Sequence, residues 1–133
     1  MKLSIPELIN KAKKASTLSQ AKYSNFPVGV ALLSCDGKVL LGCNVESSSY
    51  GLSVCAERVA LVKALSEGIT EFDSIVIFAE KADYCPPCGA CRQLLLDYSP
   101  NITVILTDGT NFNSYKISDL LPHAFDESKL KDE

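Results

Sequence analysis

Apolar and polar positions along the chain predict a series of short helices and strands. The first helix is expected to begin near Ser4. There SIPE (4–7) has the spacing of a capping box, with Glu7 three residues after Ser4 and a proline in the first turn. An apolar stripe then continues at helical spacing through Leu8, Ile9, Ala12 and Ala15. This pattern is typical of a helix that buries one face.

The rest of the chain alternates between runs that favour strands and runs that favour helices. VGVALLS (28–34) predicts a strand, Asp36-Gly37 favours a two-residue hairpin, and VLLGCNV (39–45) predicts the return strand. Further strands are predicted at 74–80, 102–107 and 111–117, and further helices at 55–68, 88–98 and 118–122. The order predicts a single α/β domain over residues 1–133, in which a mixed five-stranded sheet carries helices on both faces.

Composition and charge argue against several classes of function. The 133 residues carry a formal net charge of −3, with 47% hydrophobic and 22% charged residues, as in ordinary globular domains. Because the lysines are scattered and acids outnumber bases, no nucleic-acid partner is expected. No membrane association is expected either, since no apolar run has the length of a bilayer-spanning helix and the N-terminus lacks a secretory signal. We expect a cytoplasmic protein, whose thiols stay reduced.

Three of the six cysteines lie within CPPCGAC (85–91). Cys88 and Cys91 are three residues apart at the start of a predicted helix, so they share one face and could hold a single cation. The helix N-terminus also favours thiolate, because its N–H groups are unpaired. Cys55 begins another predicted helix and is the candidate third ligand. Glu57, two residues later, is placed so that its side chain can lie beside an open fourth coordination position of the metal.

This cysteine pattern leaves three interpretations open. Three protein ligands with an open position are typical of catalytic zinc, whereas a fourth ligand from Cys85 would give a closed structural site. The spacing of Cys88 and Cys91 also occurs in redox-active dithiols. Since Pro86 and Pro87 stiffen the segment, we interpret Cys85 as a free thiol directed away from the metal.

Two segments taken together resemble the cytidine deaminase family. VCAERVALVKA (54–64) and PPCGACRQ (86–93) are similar to its small form, in which three cysteines hold zinc. The similarity extends over YSNFPVGVALL (23–33), GCNVESSSYG (42–51) and LLPHAF (120–125). It implies a three-layer α/β/α sandwich. It also implies zinc-dependent hydrolytic deamination of cytidine and 2′-deoxycytidine to the uracil nucleosides and ammonia, a reaction of pyrimidine salvage.

The resemblance assigns chemistry to the residues around the cysteines. It implies one Zn²⁺ per subunit, held by Cys55, Cys88 and Cys91. Glu57 is implied to be the catalytic residue that moves protons between water and the base. Arg58, directly after it, is implied to bond to the thiolates and draw off their charge.

Residues for substrate binding follow from spacing and from the same resemblance. Asn44 and Glu46 are two apart in an extended segment, so they share a face and suit a sugar hydroxyl; their matches in the family bind ribose. Phe26 matches a residue that stacks on the pyrimidine ring. Tyr50 and Phe125 match residues that reach the pocket from a neighbouring subunit. The resemblance therefore implies a homotetramer with shared active sites.

The chain departs from the family at Ser47, where an asparagine is usual, and this change is expected to affect loop packing. Arg92 is a further candidate for a role beside the metal. Cys35 and Cys43 flank the predicted hairpin and are interpreted as small hydrophobic residues, and His123 as a surface or hinge residue. The alternative functions are deamination of a related aminated nucleoside or nucleotide, and a structural zinc protein.

Overall fold

The chain is built around one mixed sheet. The computed structural model describes residues 3–130, and residues 1–2 and 131–133 of the predicted domain lie outside the described residues. The helices are α1 (Ile5–Ser16), α2 (Ala56–Ser66), α3 (Gly89–Tyr98) and α4 (Ile117–Leu120), and the strands are β1 (Val28–Ser34), β2 (Val39–Cys43), β3 (Phe72–Ala79), β4 (Thr103–Thr107) and β5 (Phe112–Lys116). Short 3₁₀ turns cover Tyr50–Leu52 and Glu127–Lys129. This order of elements is the predicted one.

The five strands lie in the order β2-β1-β3-β4-β5. Strand β1 is antiparallel to both β2 and β3, β3 and β4 are parallel, and β4 and β5 are antiparallel. The single parallel pair is the one whose strands are joined through α3, as a crossover connection requires. The mixed five-stranded sheet predicted from the sequence is therefore confirmed.

Side chains of β1 alternate between two cores, which makes the fold three layers thick. Val30 and Leu32 point to the face covered by α2 and α3, where they pack with Leu61 and Leu95. The intervening positions point to the opposite face, which α1 covers: Ala31 and Leu33 pack there with Leu8, Ile9 and Ala12. A strand that is buried on both faces has a continuous run of apolar residues in its sequence, which explains why apolar and polar residues do not alternate at 28–34.

Two structural devices place the helices against the sheet. Helix α1 begins with the predicted capping box, in which the Glu7 N–H donates to Ser4 Oγ and Glu7 Oε1 accepts from the Ser4 N–H at 2.9 Å. On the other face, Gly42 in β2 allows α2 to approach closely: a Cβ at this position would lie 2.4 Å from the Ala56 carbonyl oxygen and 2.7 Å from the Ala60 nitrogen. Cys55 is the N-cap residue of α2 and Glu57 lies in its first turn. The close approach at Gly42 therefore also sets the position of these two residues.

No helix within residues 3–130 has the length and hydropathy needed to span a membrane.

Candidate metal and substrate site

Two helix N-termini meet at the face of the sheet covered by α2 and α3, and they bring three sulfur atoms together. Cys55 is the N-cap residue of α2, Cys88 is the N-cap residue of α3, and Cys91 lies in the first turn of α3. The Sγ atoms of Cys55 and Cys88 are 3.9 Å apart, and those of Cys88 and Cys91 are 3.5 Å apart. All three sulfurs lie within 4.8 Å of one another.

This sulfur geometry fits a tetrahedral zinc ion. Zn–S bonds of about 2.3 Å in a tetrahedral shell separate neighbouring sulfurs by about 3.8 Å, close to the spacing found here. The sulfur separations are far longer than a disulfide bond of about 2.05 Å, and all six cysteines are free thiols. The donor set is thus three thiols arranged to hold one soft cation.

The ionisation of the thiols also favours a bound cation. Hydrogen bonding from Cys91, and to a lesser degree from Cys88 and the Arg58 charge, lowers the pKa of Cys55 to about 6. The same contact with Cys55, together with burial and the Glu57 charge, raises the pKa of Cys91 well above its ordinary value. One thiolate is therefore stabilised while its neighbour holds a proton. A cation bound between the sulfurs would compensate for the charge of a second thiolate.

Cys85 lies outside the three-sulfur cluster, as the sequence predicted. It sits in the extended segment before α3, and its half-buried thiol is 3.8 Å from the Pro86 carbonyl oxygen. Burial raises the pKa of Cys85, with a further contribution from the Glu57 charge. Cys85 is thus a protonated thiol near Glu57, and among the described residues no fourth metal-ligating side chain joins the cluster.

Glu57 lies in the first turn of α2, beside the cluster and almost out of contact with water. Only 6% of its surface is exposed. Burial raises the pKa of Glu57 to about 7; its backbone N–H opposes this rise, and the Cys55 charge adds to it. A carboxyl group with a pKa near neutrality can both take up and release a proton at physiological pH.

The two arginines of the chain have different surroundings. The guanidinium of Arg58 donates to the Ser53 carbonyl oxygen at 3.5 Å, and its charge helps to lower the pKa of Cys55. Arg92 donates from Nε to the Pro87 carbonyl oxygen at 2.8 Å and from a terminal nitrogen to the Leu120 carbonyl oxygen at 2.7 Å. Arg92 therefore ties the segment before Cys88 to the end of α4, and within residues 3–130 neither Arg58 nor Arg92 donates a hydrogen bond to a sulfur.

A short extended strip at residues 44–46 joins the metal cluster to the rest of the site. The predicted return strand at 39–45 ends in the structure at Cys43, and Val45 then pairs with a different partner on each side. It exchanges two backbone hydrogen bonds with Val54, the residue before Cys55, while Gln20 lies parallel to it on the other side. Asn44 and Glu46 are therefore fixed relative to Cys55 through the backbone.

The Asn44 side chain is held by the loop between α1 and β1. Its Oδ1 accepts from the Val28 N–H at 2.9 Å and from the Ser19 hydroxyl, and its Nδ2 donates to the Phe26 carbonyl oxygen at 3.0 Å. These contacts set the orientation of the amide and occupy both acceptor positions of its oxygen. The second N–H of Nδ2 has no partner within the described part of the chain.

The Glu46 carboxylate is held by the same loop. Oε1 accepts from the backbone N–H groups of Tyr23 at 2.9 Å and Ser24 at 3.0 Å, and Oε2 accepts from the Ser24 hydroxyl. These bonds, led by the one from the Ser24 hydroxyl, lower the pKa of Glu46. The carboxylate is thus ionised at neutral pH, and Oε2 keeps one acceptor position open.

A cavity of about 310 Å³ opens beside Glu46. It is lined by Tyr23, Ser24, Glu46, Tyr50 and Ser53. The rings of Tyr23 and Tyr50 are tilted by 58° with their centroids 6.1 Å apart, and 76% of Tyr50 is exposed. The structure therefore places Tyr50 next to Glu46 in the same chain. Phe26 is half-buried, and its carbonyl oxygen contacts Asn44.

Three of the predicted substrate residues, Phe125, Phe26 and Asn44, are not among the residues that line the cavity beside Glu46. Phe125 lies beyond α4, with 57% of its surface exposed, and its carbonyl oxygen accepts from Gln93 Nε2 at 2.8 Å. His123 is exposed with a left-handed φ of 53°, as suits a surface turn, whereas Cys35 is exposed and Cys43 is half-buried, so neither thiol belongs to the fully buried core.

The sequence did not predict which residues hold the side chains of Asn44 and Glu46, which we call the polar pair. Ser19, Tyr23 and Ser24 contact Asn44 or Glu46, and Ser53 Oγ accepts from the Ser47 N–H at 3.0 Å. None of these residues belongs to a periodic segment. The available signal was composition alone, since serines cluster in both loops that border the site.

Fold and site together define an α/β protein in which three cysteines could hold a metal ion, a buried carboxyl group lies beside them, and Asn44 and Glu46 are connected to Cys55 through the backbone pairing of Val45 with Val54. A family model described as "Cytidine and deoxycytidylate deaminase zinc-binding region" matches residues 4–107. The chain belongs to the cytidine and deoxycytidylate deaminase family.

Individual relatives agree with this assignment. Cytidine deaminase of Halalkalibacterium halodurans is 41% identical over 127 residues, which are 94% of this chain and 96% of the relative. Cytidine deaminase of Sporosarcina psychrophila is 38% identical over 130 residues, 96% of each chain. The crystal structure of cytidine deaminase from Burkholderia pseudomallei superposes with a TM-score of 0.88 at 45% identity, covering 92% of this chain and all of that one. The predicted family and fold class are therefore confirmed.

Proposed function

We propose that this protein is a zinc-dependent cytidine deaminase. It adds water to C4 of cytidine or 2′-deoxycytidine and releases ammonia, leaving uridine or 2′-deoxyuridine. The observation that carries the proposal is the meeting of three sulfurs within 4.8 Å beside a carboxyl group that is only 6% exposed. A structural zinc site would be expected to have four protein ligands and would not need a buried acid next to it.

Cys55, Cys88 and Cys91 are the residues that would hold the zinc ion. When bound, zinc supplies a Lewis acid that makes water nucleophilic at neutral pH. The N-termini of α2 and α3 and the positive charge of Arg58 stabilise the thiolates, which would otherwise reduce that acidity.

Glu57 carries the protons of the reaction. Its carboxylate accepts a proton from the attacking water, and its carboxyl group delivers that proton to N3 of the base. The ionised group then takes the remaining proton from the new C4 hydroxyl and transfers it to the departing amine, as the C4–N bond breaks and the C4 carbonyl forms. Burial keeps its pKa near 7, so that neither the protonated nor the ionised form is strongly favoured.

The polar pair binds the sugar. Asn44 keeps one N–H donor and Glu46 keeps one carboxylate acceptor, so together they match a hydroxyl group, which can accept one hydrogen bond and donate another. Phe26 contacts the base. Tyr50 and Phe125 complete the pocket, with Phe125 serving a neighbouring subunit of a homotetramer. The described residues then belong to a single catalytic domain.

The cytoplasm is the compartment in which this chemistry can persist, because free thiols stay reduced there. We do not expect a nucleic-acid substrate, since the net charge is −3 and the pocket residues include no cation for a phosphate.

An ammonia-release assay tests the proposed function. Zinc-loaded protein is incubated separately with cytidine, 2′-deoxycytidine, cytosine, deoxycytidylate and an aminated nucleoside antibiotic. We expect turnover of the two nucleosides and little of cytosine or deoxycytidylate, because the first lacks the hydroxyl and the second adds an unpaired phosphate. Ammonia release from another amine with none from cytidine would contradict the proposal.

A further inference from the structure

The Ser24 hydroxyl lies between two residues of the proposed substrate site. Its Oγ donates to Glu46 Oε2 and accepts from the Phe26 N–H at 3.1 Å, while the Ser24 N–H donates to Glu46 Oε1 at 3.0 Å. A hydroxyl has one donor and two acceptor positions, so it can make both contacts at once. One side chain thus connects the carboxylate to the backbone of the aromatic residue two positions along.

We propose that Ser24 is a positioning residue that holds the Glu46 carboxylate and Phe26 in the orientations that bind the substrate. The inference rests on the proposed function of this site. Since the Ser24 proton points at Oε2, it fills one acceptor position there and leaves the other for the substrate. Since Oγ accepts from the Phe26 N–H, it also fixes the backbone that carries the ring.

The location of Ser24 distinguishes this role from a contribution to the core. Ser24 is exposed, lines the cavity beside Glu46 and belongs to neither hydrophobic cluster. Its partner Glu46 lies 22 residues away along the chain. Loss of the hydroxyl should therefore change the shape and hydrogen bonding of the cavity more than the packing of the protein.

Ser24→Ala removes the donor to Glu46 and leaves the Phe26 N–H without its acceptor. We expect KM for cytidine to rise about tenfold, the cost of one charge-assisted hydrogen bond, with kcat changed less than about twofold. Only KM should respond, because the hydrogen bonds of Ser24 within the described residues go to Glu46 and Phe26 and not to the cysteines or Glu57, so that binding in the ground and transition states weakens equally. Ser24→Thr keeps the hydroxyl and should restore KM.

Ser4→Ala is the matched control. Ser4 makes the same kind of contact, donating from Oγ to Glu7 Oε1 at 2.9 Å, but at the N-terminus of α1. This variant should lower thermal stability and leave KM unchanged. Melting temperatures are measured for all variants, and kinetics are recorded well below the lowest of them.

The outcomes separate this inference from the proposed function. An unchanged KM in Ser24→Ala, a fall in kcat alone, or an equal KM shift in Ser4→Ala would overturn the positioning role while cytidine turnover by the wild type still stood. Absence of turnover in the wild type would overturn the proposed function, and the inference with it. A raised KM in Ser24→Ala, restored in Ser24→Thr, supports the inference.

Discussion

At the scale of single residues, Glu57 illustrates how the position of a carboxyl group prepares it for chemistry. It follows the N-cap of α2 by two residues, so the fold buries it beside the sulfurs, and burial raises its pKa to about 7. An exposed glutamate on the same helix would stay ionised at neutral pH and would be a poor proton donor.

Glu57→Gln preserves the shape of the side chain and removes its ability to carry a proton. We expect kcat for cytidine to fall by about 10²–10⁴-fold, because general acid–base transfer is lost. Zinc content, measured by mass spectrometry of the metal, should be unchanged. Glu67→Gln, at the exposed C-terminal end of α2, is the control and should keep wild-type activity. Near-normal turnover by Glu57→Gln would contradict the proposed role.

The four cysteines near the site offer a matched pair of substitutions. Cys88→Ser removes a member of the three-sulfur cluster, whereas Cys85→Ser changes a thiol outside it. We expect Cys88→Ser to lose its zinc and its activity and Cys85→Ser to retain the metal, as measured by metal analysis after dialysis against a chelator. Equal zinc loss in both variants would indicate a four-sulfur structural site.

The sequence predicts these metal residues more completely than it predicts their surroundings. Cys88 and Cys91 are three residues apart, so local helix geometry alone places them on one face. Ser24 and Glu46, in contrast, meet across 22 residues of loop and strand. No periodicity governs such a contact, because it depends on how the loop after α1 closes over the strip at 44–46.

At the scale of elements, the approach of α2 to β2 determines where Cys55 and Glu57 stand. The apolar pattern predicts both elements, and α2 forms at Ala56–Ser66 within the predicted 55–68. The pattern does not specify how closely the two pack. That distance depends on Gly42, whose missing side chain leaves room for the helix backbone.

Gly42→Ala should push α2 away from the sheet. Its Cβ would lie 2.4 Å from the Ala56 carbonyl oxygen, and neighbouring backbone cannot yield as a flexible side chain can. We expect a loss of about 1–3 kcal/mol in the free energy of unfolding, measured by urea denaturation, and weaker zinc retention. Gly51→Ala is the control, since a Cβ there meets nothing within 4 Å. Unchanged stability in Gly42→Ala would contradict this account of the packing.

At the scale of the whole molecule, Phe125 raises the question of which active site it serves. It is 57% exposed and does not line the cavity beside Glu46 in its own chain. Tyr50 is 76% exposed at the edge of that cavity. Aromatic side chains that are exposed in a single chain are commonly buried in an assembly. In the proposed homotetramer, a neighbouring subunit would cover Tyr50 and Phe125.

Mixed assemblies test whether Phe125 acts across subunits. Glu57→Gln and Phe125→Ala chains are each expected to be impaired alone, and they are dissociated, mixed in equal amounts and reassembled. If a site takes Glu57 from one chain and Phe125 from its neighbour, about a quarter of the sites in random assemblies regain both residues. The rate of ammonia release at low cytidine should then rise above that of either parent.

The control mixture combines Glu57→Gln with Cys88→Ser. Both changes affect residues that the structure brings together within one chain, so every site keeps a defect and mixing should restore nothing. Native mass spectrometry shows whether mixed tetramers have formed, because the two variant chains differ in mass. If mixed tetramers form and the Phe125→Ala mixture still restores nothing, Phe125 serves its own chain or no site. Recovery in the first mixture alone would establish that the pocket is completed only between subunits.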